Sequence, residues 1–426
     1  MWNQVKEGSG RPGSVWRNSL FCPCFLGILG SADQGGTDPV RDGHPAFSPS
    51  GNHRTRPWRR RRTRAFALVA AGAAVALSAA ACGGDGKKGD ASGDPKRKAP
   101  GASKGGDGNG RRPITIAFGG DTHFQGKRLR GRLASPGTAL GPIASTLRAA
   151  DFTMLNLETA ITTGGTKAPN KEYTFRSPPS AFTALKAAGV DVVSMANNHG
   201  MDYMETGLRD SLSAIRKSGF PVVGIGKDED EAFRPRRFTV KGNRIAVVGA
   251  TQVLDDHLAK AWTATPGKGG LASAKDVPRL VQAVREARKG SDYVIVHLHW
   301  GQEMRECPLP RQKDLAKTLV DAGADVVVGG HAHVPLGGGF MKGRYVHYGM
   351  GNFVFNGVSG QPDTTGRTRL SGVLLLRLDG GKVTNATWKP AHLSGGLPTL
   401  MTGAAGAAEL KRWNALRGCT GLTARP

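Results

Sequence analysis

The chain has 426 residues, and its 59 Lys and Arg against 33 Asp and Glu give a formal charge of +26. Only 38% of the residues are hydrophobic and 62 are glycine, which argues against one compact core over the whole length and for two or three segments of different character. Aromatics are 6% with no stacking platform among them, so nucleic acid is not an expected partner, whereas the basic balance suits an anionic polymer or a membrane surface.

Residues 1–64 carry no periodic apolar pattern. They read as a disordered or over-extended start, including Cys22 and Cys24, that ends in the basic run Arg59 to Arg64. An apolar stretch, Ala65 to Ala81, follows and leads into Cys82. A basic region, an apolar region and small residues in that order are an export signal. Ala79-Ala80-Ala81-Cys82 resembles a bacterial lipobox, so 65–82 is expected to be a lipoprotein signal with Cys82 the lipidated residue. An uncleaved anchor helix or a plain signal peptide is the plainer account. Residues 83–112, rich in Gly, Ser, Asp and Lys, cannot bury apolar surface and are expected to form a flexible linker. The chain would then be a folded head held at the extracytoplasmic face of the cell membrane.

From residue 113 onward short apolar runs alternate with amphipathic stretches, the pattern of an α/β fold. Strands are expected at 114–120, 152–157, 191–196, 221–225, 236–241, 244–250, 292–300 and 324–330, with a Gly-Asn turn making 236–250 a hairpin. Helices are expected near 141–150, 178–188, 203–218, 276–289 and 310–322, and the remainder is β-rich. The domain is taken as 113–400, with 401–426 a C-terminal tail. Export leaves Cys307 and Cys419 either to pair or to remain free thiols.

Five of these apolar runs end in residues able to bind metal, and ligands of open α/β sheets bind at the carboxyl ends of strands. Asp121 and His123 can turn to one ion, although a solvated turn also explains them. In Asn156-Leu157-Glu158 alternation puts Asn156 and Glu158 on one face, where Glu158 can bridge two ions or merely cap a turn. In Asn197-Asn198-His199-Gly200-Met201-Asp202, His199 can act as a general acid, and Asp202 can hold its imidazole or cap the next helix. His297 and His299 share a strand face, and Gly329-Gly330-His331-Ala332-His333 follows another strand directly. Asp121, His123, Glu158, Asn198, His299, His331 and His333 are donors enough for two divalent ions sharing Glu158. Imidazole suits Mn, Fe and Zn alike, so the metal stays open.

These blocks, with NLE, NNHGMD, HWGQE, GGHAHV, FRSPP (175–179) and GNFVF (351–355), resemble the CapA family. Also called the poly-γ-glutamate capsule biosynthesis family, it is similar to the calcineurin-like metallophosphoesterases. The resemblance spans roughly Ile114 to Leu378 and implies a metallophosphoesterase-like sandwich of two β-sheets flanked by helices (αββα). It also implies one metal held by Asp121, His123, Glu158 and His333, and a second by Glu158, Asn198, His299 and His331. His199 would be the catalytic acid with Asp202 beside it, and His297 would stand behind the ligands. Glu158 stands where metallophosphoesterases usually place Asp, and many CapA-like proteins lack a histidine at the position of His123. Arg176 suits binding of a substrate carboxylate or phosphate, or is a surface arginine. Asn352, near the site, is a second candidate for substrate binding, or lies in a turn.

The implied function is a lipid-anchored, metal-dependent hydrolase or transferase acting on an anionic polymer such as poly-γ-glutamate, with a capsule-synthesis membrane complex as partner. Two other readings remain: a non-catalytic accessory that guides polymer during export, and a general metallophosphoesterase.

Overall fold

The computed structural model describes residues 110–356 and 366–426. The start, signal, Cys82 and nearly all of the linker lie outside the described residues. Two sheets carry the architecture. The first runs Leu397–Leu400, Lys382–Ser394, Leu370–Asp379, Ile114–Thr122, Phe152–Leu157, Val192–Ser194 and Val222–Val223, and Asn352–Val354 pairs with the far end of Ile114–Thr122. The second runs Gly338–Met341, Arg344–His347, Val326–Gly330, Tyr293–His299, Asn243–Thr251 and Arg236–Val240.

The central strands of each sheet are parallel. Their sequences are runs of Val, Ile and Ala because both faces are covered. Ile116, Phe118, Met154, Ile295, Val326 and Val328 fill the space between the sheets. Ser180–Ala187 and Met204–Ser218 bury their apolar stripes on the outside of the first sheet. Val277–Arg288 and Pro310–Ala322 cover the second. The chain is therefore an α/β sandwich of two sheets between helical layers, as the resemblance implied.

The hairpin is present as Arg236–Val240 and Asn243–Thr251, antiparallel. Its turn is made by Lys241 and Gly242, both at positive φ, the geometry that matches the twist of paired strands. The short helix Asp256–Trp262 and the strand Leu397–Leu400 were not anticipated. Both are too short to show a period.

Residues 401–426, set apart above as a tail, pack onto the sandwich. Gly403–Ala415 is a helix whose Trp413 stacks on Trp388 at 5.2 Å and donates its indole N–H to Leu336 O at 2.9 Å. Thr423 pairs with Phe340, and Cys419 is bonded to Cys307. The segment is mostly small residues, so three anchors rather than an apolar stripe hold it. His347 lies within this cluster, 5.6 Å from Trp413, with no hydrogen-bond partner on either ring nitrogen. Burial pushes it down to about 3, so it packs as a neutral aromatic ring. His297 is in the same state inside the sandwich, also pushed to about 3 by burial. No helix among the described residues is long and apolar enough to cross a membrane.

Asp292 ties the start of the domain to the second sheet. Its carboxylate, with a side chain only 5% exposed, accepts from Arg111 at 2.7 Å and from the Arg244 guanidinium at 3.0 Å. These bonds, Arg244's foremost, hold its pKa down at about 2. Because the folded value lies below the ordinary 3.8, the contribution is complete above pH 4 and disappears as pH falls toward 2. Asp292→Asn should lower stability by roughly 2 kcal/mol at pH 7, and the difference from wild type should shrink between pH 4 and 2 in denaturant titrations; a difference independent of pH would refute this account. The Cys307–Cys419 bond closes a separation of 112 residues. Its reduction should cost about 2–4 kcal/mol, read as a drop in melting temperature that Cys307→Ser reproduces without reductant.

Candidate metal centre

Strand ends from both sheets open at one end of the sandwich, and Asn156 joins them. Its amide N–H donates to Asp121 Oδ1 at 2.7 Å and lies 3.1 Å from His299 Nδ1. Its oxygen accepts from Asn197 at 3.1 Å. Asp121 Oδ2 accepts the backbone N–H of His331 at 3.0 Å. Close backbone approach makes this possible. A Cβ on Gly330 would stand 2.5 Å from Asp121 Oδ1, and one on Gly120 would stand 1.8 Å from the carbonyl oxygen of Gly351. Glycine is the residue that leaves room at both.

Glu158 sits at the centre, fully buried, and neither of its oxygens has a hydrogen-bond partner. His299 Nε2 lies 3.5 Å and His199 Nε2 3.9 Å from Oε1. Burial, with Asp121 and Glu303 adding to it, pushes this carboxyl well above the usual range. Burial also raises Asp121, against the opposing pull of His333. His331 and His333 have φ of 93° and 57°. Those left-handed values are strained for non-glycine residues and cluster at functional sites. The Nδ1 of His331 is buried without a partner. His333 Nδ1 donates to Asn352 Oδ1 at 2.8 Å, which leaves its Nε2 free to ligate.

Six of the seven expected ligands, Asp121, Glu158, Asn198, His299, His331 and His333, are thus brought together. Asn198 Oδ1 lies 2.8 Å from His299 Nε2. Donor atoms of Asp121, Glu158 and His333 lie within 4.8 Å of one another, and so do those of Glu303, His331 and His333. Neither His123 nor His299 belongs to either group, and the buried Nε2 of His123, like the Nδ1 of His331, has no hydrogen-bond partner. The His123 ring packs 4.4 Å from Phe175 and 4.2 Å from Phe355, and its Nδ1 accepts the Gln125 N–H at 3.1 Å. Burial, then His199 and His333, lower it to about 3.

His199 Nδ1 lies 2.6 Å from Asp202 Oδ2, so Asp202 holds the imidazole and does not cap the following helix. Burial lowers His199 to about 4 although Asp202 opposes the shift. Asp202 also accepts from Lys171 Nζ at 2.6 Å and from the Phe175 N–H at 2.5 Å. The ring of Phe175 stacks on His199 at 4.0 Å. Lys171 and this role of Phe175 were not found from sequence: Lys171 sits in a polar loop like any surface lysine, and only FRSPP hinted at Phe175.

A cavity of about 750 Å³ opens onto Asn198, His199 and His333, with Glu303, Arg128 and Arg369 among its walls. Arg176 is not among its lining residues. Alternation turns Phe175 and Ser177 toward the site and Arg176 away, over the Tyr203 ring at 4.8 Å. Asn352 is buried, orients His333 and donates to Thr368 O at 3.1 Å, rather than facing the cavity. The expectation that these two residues bind substrate does not fit their placement.

The family model described as bacterial capsule synthesis protein PGA_cap matches residues 115–357. The PGA biosynthesis protein CapA of Bacillus subtilis is 34% identical over 211 residues, 49% of this chain and 54% of that protein. A probable polyglutamine synthesis accessory protein of Mycobacterium tuberculosis is 30% identical over 260 residues, 57% of this chain and 68% of its own length. The chain thus spans about half the length of the Bacillus relative. Among solved structures, a hypothetical protein from Thermus thermophilus aligns with TM-score 0.41 and 19% identity, covering 66% of this chain and 100% of that one. The 5'-nucleotidase from Candida albicans aligns with TM-score 0.39 and 12% identity, over 74% of this chain and 59% of that one. By the match over more than half its length, the chain belongs to the CapA family of bacterial capsule synthesis proteins.

Proposed function

We propose that this protein is a metal-dependent hydrolase or transferase for an anionic polymer such as poly-γ-glutamate. It would be held by a lipid on Cys82 at the extracytoplasmic membrane face, beside a capsule-synthesis complex. The observation that carries the chemistry is Glu158, a buried carboxylate without a hydrogen-bond partner among imidazoles, two of which, His199 and His333, line an open cavity.

An ionised carboxylate in that position costs several kcal/mol unless a cation accompanies it. The unpartnered nitrogen of His331 makes the same demand. Carboxylate oxygens and imidazole nitrogens are donors that suit Mn, Fe or Zn, so the residues fit two divalent ions. Asp121, Glu158, Asn198, His299, His331 and His333 would hold them, with Glu158 shared. Such ions supply Lewis acidity to a carbonyl or phosphoryl oxygen.

The remaining work falls to the chain itself. Asp202 accepts the Nδ1 proton of His199, and Lys171 shares that carboxylate. The His199 ring is thereby oriented with Nε2 toward the site, where it can carry a proton to or from the group that leaves. Phe175 packs on the ring face and limits its rotation. Arg128 and Arg369 on the cavity wall offer positive charge to a polymer rich in carboxylates. The names of the relatives, which concern PGA and polyglutamine synthesis, support that substrate class. A structural metal site is closed, whereas a catalytic one keeps an open side. The cavity reaching Asn198 and His333 therefore favours catalysis over a purely guiding role.

His199→Ala should retain its metal and lose about 10²- to 10⁴-fold in turnover. The assay pairs metal analysis with a screen of γ-glutamyl oligomers and phosphoesters in the presence of Mn²⁺. Unchanged turnover of every substrate that the wild type accepts would end the catalytic reading. Asn352→Ala, which frees the His333 ring, should weaken metal binding by about 10- to 100-fold without altering the cavity wall. Equal affinity in the two proteins would show that the hydrogen bond does not matter.

A further inference from the structure

We propose that Glu303 is a metal ligand that forms, with His331 and His333, a divalent-cation position on the cavity side of the site. The inference rests on the metal-dependent reading above and adds a residue that the family resemblance leaves out of both ligand sets.

Three observations converge on it. The donor atoms of Glu303, His331 and His333 all lie within 4.8 Å of one another. His331 is only 6% exposed, and its Nδ1 has no hydrogen-bond partner. The backbone builds the juxtaposition: Met304 N–H donates to the carbonyl of Ala332, the residue between the two histidines, at 2.9 Å. Met304 itself takes φ of 61°. Glu303, an exposed residue on the loop that leaves the strand carrying His299, is placed beside the histidine pair by its neighbour's backbone bond. Among the described residues its carboxylate has no ion-pair partner of its own, although it lines the cavity. An oxygen and two nitrogens are a donor set that Mn²⁺ or Zn²⁺ accepts.

The assignment has a consequence for the site as a whole. His333 belongs both to this triad and to the buried triad of Asp121, Glu158 and His333, while its Nδ1 donates to Asn352 Oδ1 and lies 3.6 Å from Asp121 Oδ2. An ion on the cavity side therefore depends on Glu303 and His331 to a degree that the buried position does not.

The test is a Mn²⁺ titration of the full-length chain followed by electron paramagnetic resonance, on wild type, Glu303→Gln and Glu172→Gln. Glu172 is a second carboxylate of the same cavity that lies outside the triad. The expected result is that Glu303→Gln weakens one class of Mn²⁺ site tenfold or more, as loss of a group supporting a metal does, while Glu172→Gln leaves both classes as in wild type. An equal loss in the two variants would mean that general charge is at work and would overturn the assignment. So would wild-type binding in Glu303→Gln. If the wild type itself binds no Mn²⁺ or Zn²⁺, the metal-dependent reading fails, and the role of Glu303 goes with it; in the other two outcomes that reading survives.

Discussion

The structure turns on a carboxylate placed where water cannot solvate it. Glu158 is buried, has no hydrogen-bond donor on either oxygen and stands close to Asp121, a second buried acid. Hydrophobic packing of the two sheets stabilises the domain by enough to hold such groups in place. It does so by setting Asp121 within Ile114–Thr122 and Glu158 directly after Phe152–Leu157. The arrangement is costly in isolation and becomes favourable when positive charge is shared among the donors.

The surrounding residues form a shell of restraint. Asn156 holds Asp121 and faces His299, Asn352 holds His333, and Asp202 holds His199. Each of these partners is buried, so each bond operates without competition from solvent. The left-handed backbone at His331 and His333 adds strain to the same loop. A site that combines strain, unsatisfied atoms and an adjacent cavity is organised for a ligand rather than for stability alone. Helices on both outer faces and a disulfide near the carboxyl terminus supply the stability that the site itself withholds.

Much of this was legible in the chain. Parallel strands buried on both faces produce unbroken apolar runs, so the ends of those runs mark where polar residues matter. That is why Asp121, Glu158, Asn198, His299, His331 and His333 stood out by position. His123 stood out for the same reason; its Nδ1 accepts a neighbouring backbone N–H and its ring packs against two phenylalanines, while its buried Nε2 has no hydrogen-bond partner. Arg176 and Asn352 show a limit. Their neighbourhood in sequence was correct, but the face of a two-residue strand and the partner of a buried amide depend on the rest of the fold.

From residue types and their order came the α/β alternation, the family and the gathering of donors at strand ends, because burial imposes a period that short-range sequence records. The directions of individual side chains were settled only when distant segments met. The packing of residues 403–415 through Trp413, the reach of Lys171 to Asp202, and Glu303 beside two histidines join positions far apart along the chain. No local pattern encodes them, since the energy of each contact comes from a partner supplied by another element.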